Sequence, residues 1–269
     1  MTTPQKIIKG LAIALAILLT VGIIGGFAKI LGVITLVNDD GVLREAKSYS
    51  VSANIIGITL DIAASELTIK EGECFALESN LENLKAEEDN NRLVVSEERK
   101  VIFRGKGFIN LTIPADYKFN DVRISAGAGT LNIETLEAND VEIELGAGRA
   151  DVKNMTAHNH ADIDGGAGKL TLENCNFHNL DLDIGVGGMT FSGTVTGNSS
   201  IDCGVGTVSM DINGEKDDYT IKIEKGIGEI EVDGESVSDD EEIGSGTNNL
   251  GISGGVGSVE INFIEPNLI

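Results

Sequence analysis

The sequence predicts an all-β fold: a single-domain parallel β-solenoid, β-helix-like, built of Gly-x-Gly rungs and preceded by one transmembrane helix. Three observations carry this. A Gly-x-Gly core recurs seven times at a nearly constant step, apolar and polar residues alternate on both sides of each copy, and one uncharged run of membrane-spanning length stands near the N-terminus.

The uncharged run extends from Gly10 to Ala28 (GLAIALAILLTVGIIGGFA), and its 19 residues at about 1.5 Å each nearly match a hydrocarbon core of about 30 Å. The expected layout is a short cytoplasmic tail and membrane anchor over 1–37, a polar tether over 38–48, and a β-solenoid ectodomain over 49–265. A cleaved signal peptide is the alternative reading, since Gly26, Phe27 and Ala28 offer small residues at suitable offsets. The acidic domain is placed outside the cytoplasm, on a single-pass protein of the cell membrane.

Beyond the tether, Tyr49 to Ile69 alternates, and Ala63-Ala64-Ser65 followed by Glu66-Leu67-Thr68-Ile69 reads as a degenerate first rung or cap. Between Glu71 and Phe103 come two or three strands, in CFALESN, LENLKAEE and RLVVSEE. Gly107 to Ile113 is a further strand, which Pro114 ends because it lacks the N–H a central ladder requires.

The repeat array spans 121–263. Its corners are Gly127-Ala128-Gly129, Gly146-Ala147-Gly148, Gly166-Ala167-Gly168, Gly185-Val186-Gly187, Gly204-Val205-Gly206, Gly226-Ile227-Gly228 and Gly255-Val256-Gly257, at steps of 19, 20, 19, 19, 22 and 29 residues. Three positions before each first glycine stands Ile or Leu: Ile124, Ile143, Ile163, Leu182, Ile201, Ile223 and Ile252. Two positions before it stands a polar residue. After the second glycine the alternation resumes, so each rung reads as strand, corner, strand with one side chain in two directed inward. One rung has too little apolar surface to fold alone, whereas rungs stacked about 4.8 Å apart bury a continuous core. The 29-residue step holds GESVSDDEEIGSGTNN (234–249), which has no apolar period and reads as a looped-out insertion.

The strand–Pro–strand–GAG opening, LTIPADYKFNDVRISAGAGTLNI from Leu111 to Ile133, together with six further Gly-x-Gly rungs, resembles the bacterial "putative adhesin" or toastrack-like family. The resemblance covers roughly Ser48 to Phe263. It implies an all-β solenoid tethered by one membrane helix and exposed outside the cell, with some members accompanying envelope-stress signalling genes. No catalytic or ligand-binding residues are established for that family, so it assigns none here.

Composition excludes some functions. With 43 Asp and Glu against 20 Lys and Arg, the net charge is -23, and phosphate binding to nucleic acid needs a basic face that this chain lacks. A dinucleotide or P-loop site requires a helix opening directly after the glycines, but every copy here runs into a strand. Cys74, Cys175 and Cys203 show no CxxC spacing, and the latter two fall on inward rung positions. His158, His160 and His178 lie on neighbouring rungs beside Asn159 and Asn179, where a polar ladder is the plain reading; alignment sets His178 over Asn159. No nucleophile motif occurs, and no Trp offers a sugar platform.

The expected function is therefore non-catalytic: a surface binding or adhesion module contacting an extracellular or membrane protein or a cell-wall polymer. The alternative is an envelope-stress sensing or regulatory accessory working with a membrane partner. No cofactor is expected apart from weak calcium, held by the outward column Glu144, Asp164, Asp183, Asp202 and Glu224, whose hard oxygen ligands recur rung after rung.

Overall fold

The structure is a computed structural model, and it describes residues 45–97 and 107–264. In chain order the strands are β1 (Lys47–Tyr49), β2 (Gly57–Ile62), β3 (Glu66–Gly72), β4 (Ala76–Ser79), β5 (Leu84–Asp89), β6 (Arg92–Glu97) and β7 (Phe108–Pro114). Then come β8 (Lys118–Ala126), β9 (Thr130–Ile133), β10 (Leu136–Leu145), β11 (Ala147–Lys153), β12 (Met155–Asp164), β13 (Ala167–His178), β14 (Leu180–Thr196) and β15 (Asn198–Asn213). A single 3-10 turn (Lys216–Asp218) precedes β16 (Tyr219–Glu224), β17 (Ile227–Val232), β18 (Glu235–Ser236), β19 (Glu242–Gly244) and β20 (Asn248–Ile264).

Hydrophobic alternation puts the predicted inward column, Ile124, Ile143, Ile163, Leu182, Ile201, Ile252 and Ile223, into the core, each at 2% exposure or less. From β8 to β15 the rungs stack in sequence order and in parallel: Ile143 pairs with Ile124 and Ile163, Leu182 with Ile163 and Ile201. At the corners carbonyls accept from the neighbouring rung, as in Gly146 N to Ala126 O and Ala147 N to Gly127 O. This stacking is why the corners are glycine. Gly206 has φ +147° and its missing Cβ would strike the Gly187 carbonyl of the rung before.

The sequence expectation fails at both ends of the stack. At the C-terminal end β20 pairs with β15 on one side and with β16 and β17 on the other, so the last rung of the chain is inserted between the two before it. At the N-terminal end β2 and β3 lie between β6–β7 and β8–β9 in the same manner. Ala63-Ala64-Ser65 is thus the corner of an internal rung rather than a cap: Gly127 N donates to Ile62 O and Ala128 N to Ala63 O, each at 2.8 Å.

Each outermost rung is covered by antiparallel strands. β5 pairs with β6 and β4 with β7, while β19 pairs with β16 and β18 with β17. Covering the ends removes much of the open edge that would otherwise pair with another chain. The segment expected as a loop over 234–249 therefore carries two cap strands and the crossover that brings β20 back into the stack.

The predicted fold class is corrected accordingly. The twenty strands among the described residues form one sheet, parallel in its body and antiparallel at its ends, wound nearly closed around the core. No α-helix occurs among the described residues, and no helix among them is long and apolar enough to cross a membrane, so the described fold is all-β without the transmembrane helix of the expected fold class. The stretch Gly10–Ala28 and the 1–37 boundary lie outside the described residues.

One buried acid completes the N-terminal end. The corner N–H groups of Ala63, Ala64 and Ser65 donate to a side chain: Glu97 Oε2 accepts all three at 2.9, 3.0 and 3.3 Å, and Glu97 Oε1 accepts from Ser65 Oγ at 3.0 Å. Glu97 is 5% exposed and is tolerated there because its carboxylate is hydrogen-bonded on both oxygens.

Candidate functional site

The carboxylate column is set by strand register. Glu144 pairs with Asp164, Asp164 with Asp183, and Asp183 with Asp202, so four acids stand on consecutive rungs. Ser125 bounds the run beside Glu144. At the other end the inserted rung brings Ser253 against both Asp202 and Glu224, which separates Glu224 from the column the sequence assigned it to. Four of the five acids thus stand on consecutive rungs, and Glu224 stands apart from them beyond Ser253.

Beside this column runs a second one, Glu142, Asp162 and Asp181, followed by Ser200. It is partly compensated: Arg123 Nε lies 3.2 Å from Glu142, and Ser200 Oγ donates to Asp181 at 2.6 Å. Among the described residues no cation lies within ion-pair distance of Asp164, Asp183 or Asp202. Burial against the corner raises the Asp183 carboxyl above the usual aspartate range, reinforced by the charges of Asp202, Asp164, Asp162 and Asp181.

These acids form one wall of an open groove of about 440 Å³. Asp164, Asp183 and Asp202 line it together with Gly166, Gly185 and Gly204 of the same rungs and Ser253 of the inserted one. Because the glycines carry no side chain, a ligand lying in the groove meets backbone next to carboxylates. Across the corner the adjoining strands carry both signs, with Arg149 paired in register to Lys169, Arg149 bonded to Asp151 and Lys153 to Glu173.

The remaining candidates separate. His158 Nε2 is 2.8 Å from Glu137, His160 Nε2 is 3.9 Å from Asp181, and His178 Nδ1 is 3.1 Å from Thr196. Between the pairs Ala157/Phe177 and Ala161/Leu180 one rung has an extra residue, so the ladder is irregular and the expected seating of His178 over Asn159 does not follow the register. Instead Asn179 Nδ2 donates to Asn159 O at 2.9 Å. Cys175 and Cys203 are buried, and burial pushes the Cys175 thiol up to about 11. Cys203, which lines the groove, is raised by the same cause, so neither is a thiolate at neutral pH. No group of three or more His, Cys, Asp or Glu among the described residues converges to hold a metal ion, and the acids form a line rather than a cage.

The stacked glycine corners, the strand–Pro–strand opening and the all-β winding agree with a sequence match over residues 57–247 to the model described as Toastrack DUF4097. The chain belongs to the Toastrack DUF4097 family. No curated protein matches it. Among solved structures it is similar to a "putative cell adhesion protein" from Clostridium sporogenes at 14% identity and TM-score 0.38, covering 82% of this chain and 99% of that one. A "putative adhesin" from Bacteroides fragilis is 15% identical with TM-score 0.43, covering 82% and 96%, and one from Parabacteroides distasonis is 15% identical with TM-score 0.38, covering 82% and 98%.

Proposed function

We propose that this Toastrack domain is a non-catalytic binding module, displayed outside the cytoplasm, whose acidic groove contacts a cationic partner such as a basic protein segment or an amine-bearing wall polymer. The observation that carries this reading is the placement of Asp164, Asp183 and Asp202 one rung apart along a glycine-lined groove, with no paired cation among the described residues. Like charges about 5 Å apart repel by about 0.8 kcal/mol per pair even in water, and a ligand carrying amines at strand-like spacing relieves that repulsion. The backbone on which the acids stand is held rung to rung, so little ordering is needed on binding.

The test is titration with oligolysine against the parent protein and two variants of equal charge change. Asp164→Asn/Asp183→Asn should weaken binding about tenfold or more, and Glu215→Gln/Asp217→Asn, on the exposed turn away from the groove, should weaken it far less. Equal losses in the two variants would leave only a net-charge effect and remove the groove from the proposal. Display is tested separately: protease added to intact cells should digest the domain, and full protection would place it inside.

A further inference from the structure

The last described strand, β20, occupies a slot that nothing else among the described residues fills. β20 lies between β15 and the β16–β17 rung, paired along its length to β15 from Asn198↔Asn249 to Asn213↔Ile264. Among the described residues β16 and β17 pair only with β20 and with their caps β19 and β18. Until β20 is seated, β15 therefore presents an open parallel edge, and the whole segment 214–247 has no rung to stack on.

We infer that this slot is an interaction surface for the β20 strand of a second copy of the chain, giving a strand-exchanged dimer. The strand that completes one copy carries the same inward residues, Leu250, Ile252, Val259 and Ile261, as the strand of any other copy, so exchange preserves every contact of the seated rung. What favours the chain's own strand is tethering alone. As a flexible linker, residues 214–247 span roughly 30 Å on average, which corresponds to an effective concentration on the order of millimolar. A second copy competes as its concentration approaches that value, and it competes during folding, while the slot is still open. In the folded monomer both edges of β20 are paired, so exchange then requires pulling it from between two rungs.

Cross-strand disulfides test this in the full-length chain with Cys74→Ser. Ser209 and Glu260 are register partners on the outward face of β15 and β20, as are Thr207 and Ser258, and rungs about 4.8 Å apart suit a disulfide. One chain carries Ser209→Cys and the other Glu260→Cys, and the two are refolded together from denaturant and then oxidised. The expected result is a covalent heterodimer, several-fold more abundant than either homodimer, whose yield rises with protein concentration and is much lower when the chains are folded before mixing. The double variant in one chain should close within itself and so reports that the geometry is right; if it does not close, the Thr207→Cys and Ser258→Cys pair replaces it. A heterodimer no more abundant than the homodimers at every concentration, with the one-chain control closed, overturns the inference.

Discussion

At the scale of single residues, the fold rests on positions where only one kind of side chain fits. Ile163 is fully buried, so Ile163→Asp puts an unpaired carboxylate into the core at a cost of several kcal/mol; thermal unfolding at an unchanged temperature would refute its inward placement. Gly206→Ala should cost on the order of 3 kcal/mol, because the new Cβ meets the Gly187 carbonyl at a positive φ. Gly188→Ala, whose Cβ would sit 3.4 Å from Thr207 Oγ1, should change stability by about 1 kcal/mol or less. Asp183 makes a pH prediction. Its folded pKa lies above the ordinary value of 3.8, so the native state holds the proton more tightly and loses stability as pH rises through that window. Asp183→Asn should therefore raise Tm at neutral pH and give no gain below the ordinary carboxylate range. These inward columns, corner glycines and stacked acids were legible in the sequence because period two and the glycine step fix their direction. Glu97 was not, since an acid at a strand end reads as solvated until the unpaired corner N–H groups it serves are seen.

At the scale of elements, what the sequence concealed is which rung lies beside which. Every rung carries apolar residues at the same inward positions, so the apolar pattern fits any rung against any other. The long steps to Gly226 and Gly255 marked where regularity stops, but the order follows from crossovers that composition does not encode. The two end rungs depend on their inserted neighbours in consequence. Ile261→Ala in β20 should speed amide exchange in β16 and β17 more than in β12, measured residue by residue; uniform acceleration would contradict the inserted order. At the opposite end, Glu97→Gln replaces an acceptor oxygen with a donor facing N–H groups and should cost about 1–3 kcal/mol by denaturant unfolding.

At the scale of the whole molecule, where the uncompensated acids stand matters more than the total of -23. The stacked, uncompensated carboxylates stand on one side of the glycine corners, whereas Arg149 on the other side is bonded to Asp151, so a cationic partner has a defined side to approach. Calcium is the small-ion version of the same proposal: it should raise Tm more than magnesium at matched ionic strength, and Asp164→Asn/Asp183→Asn should abolish the excess, whereas identical responses to both ions would reduce the ladder to a screened surface. The central claim, that a cationic ligand sits on this ladder, is tested most directly by following the Asp183 side-chain carboxyl by NMR through a pH titration, with and without saturating oligolysine. The account predicts a midpoint above the ordinary aspartate range in the free protein that falls when the ligand is bound, with protons released on binding near that midpoint; a midpoint that starts at the ordinary value, or does not move with ligand bound, would contradict it.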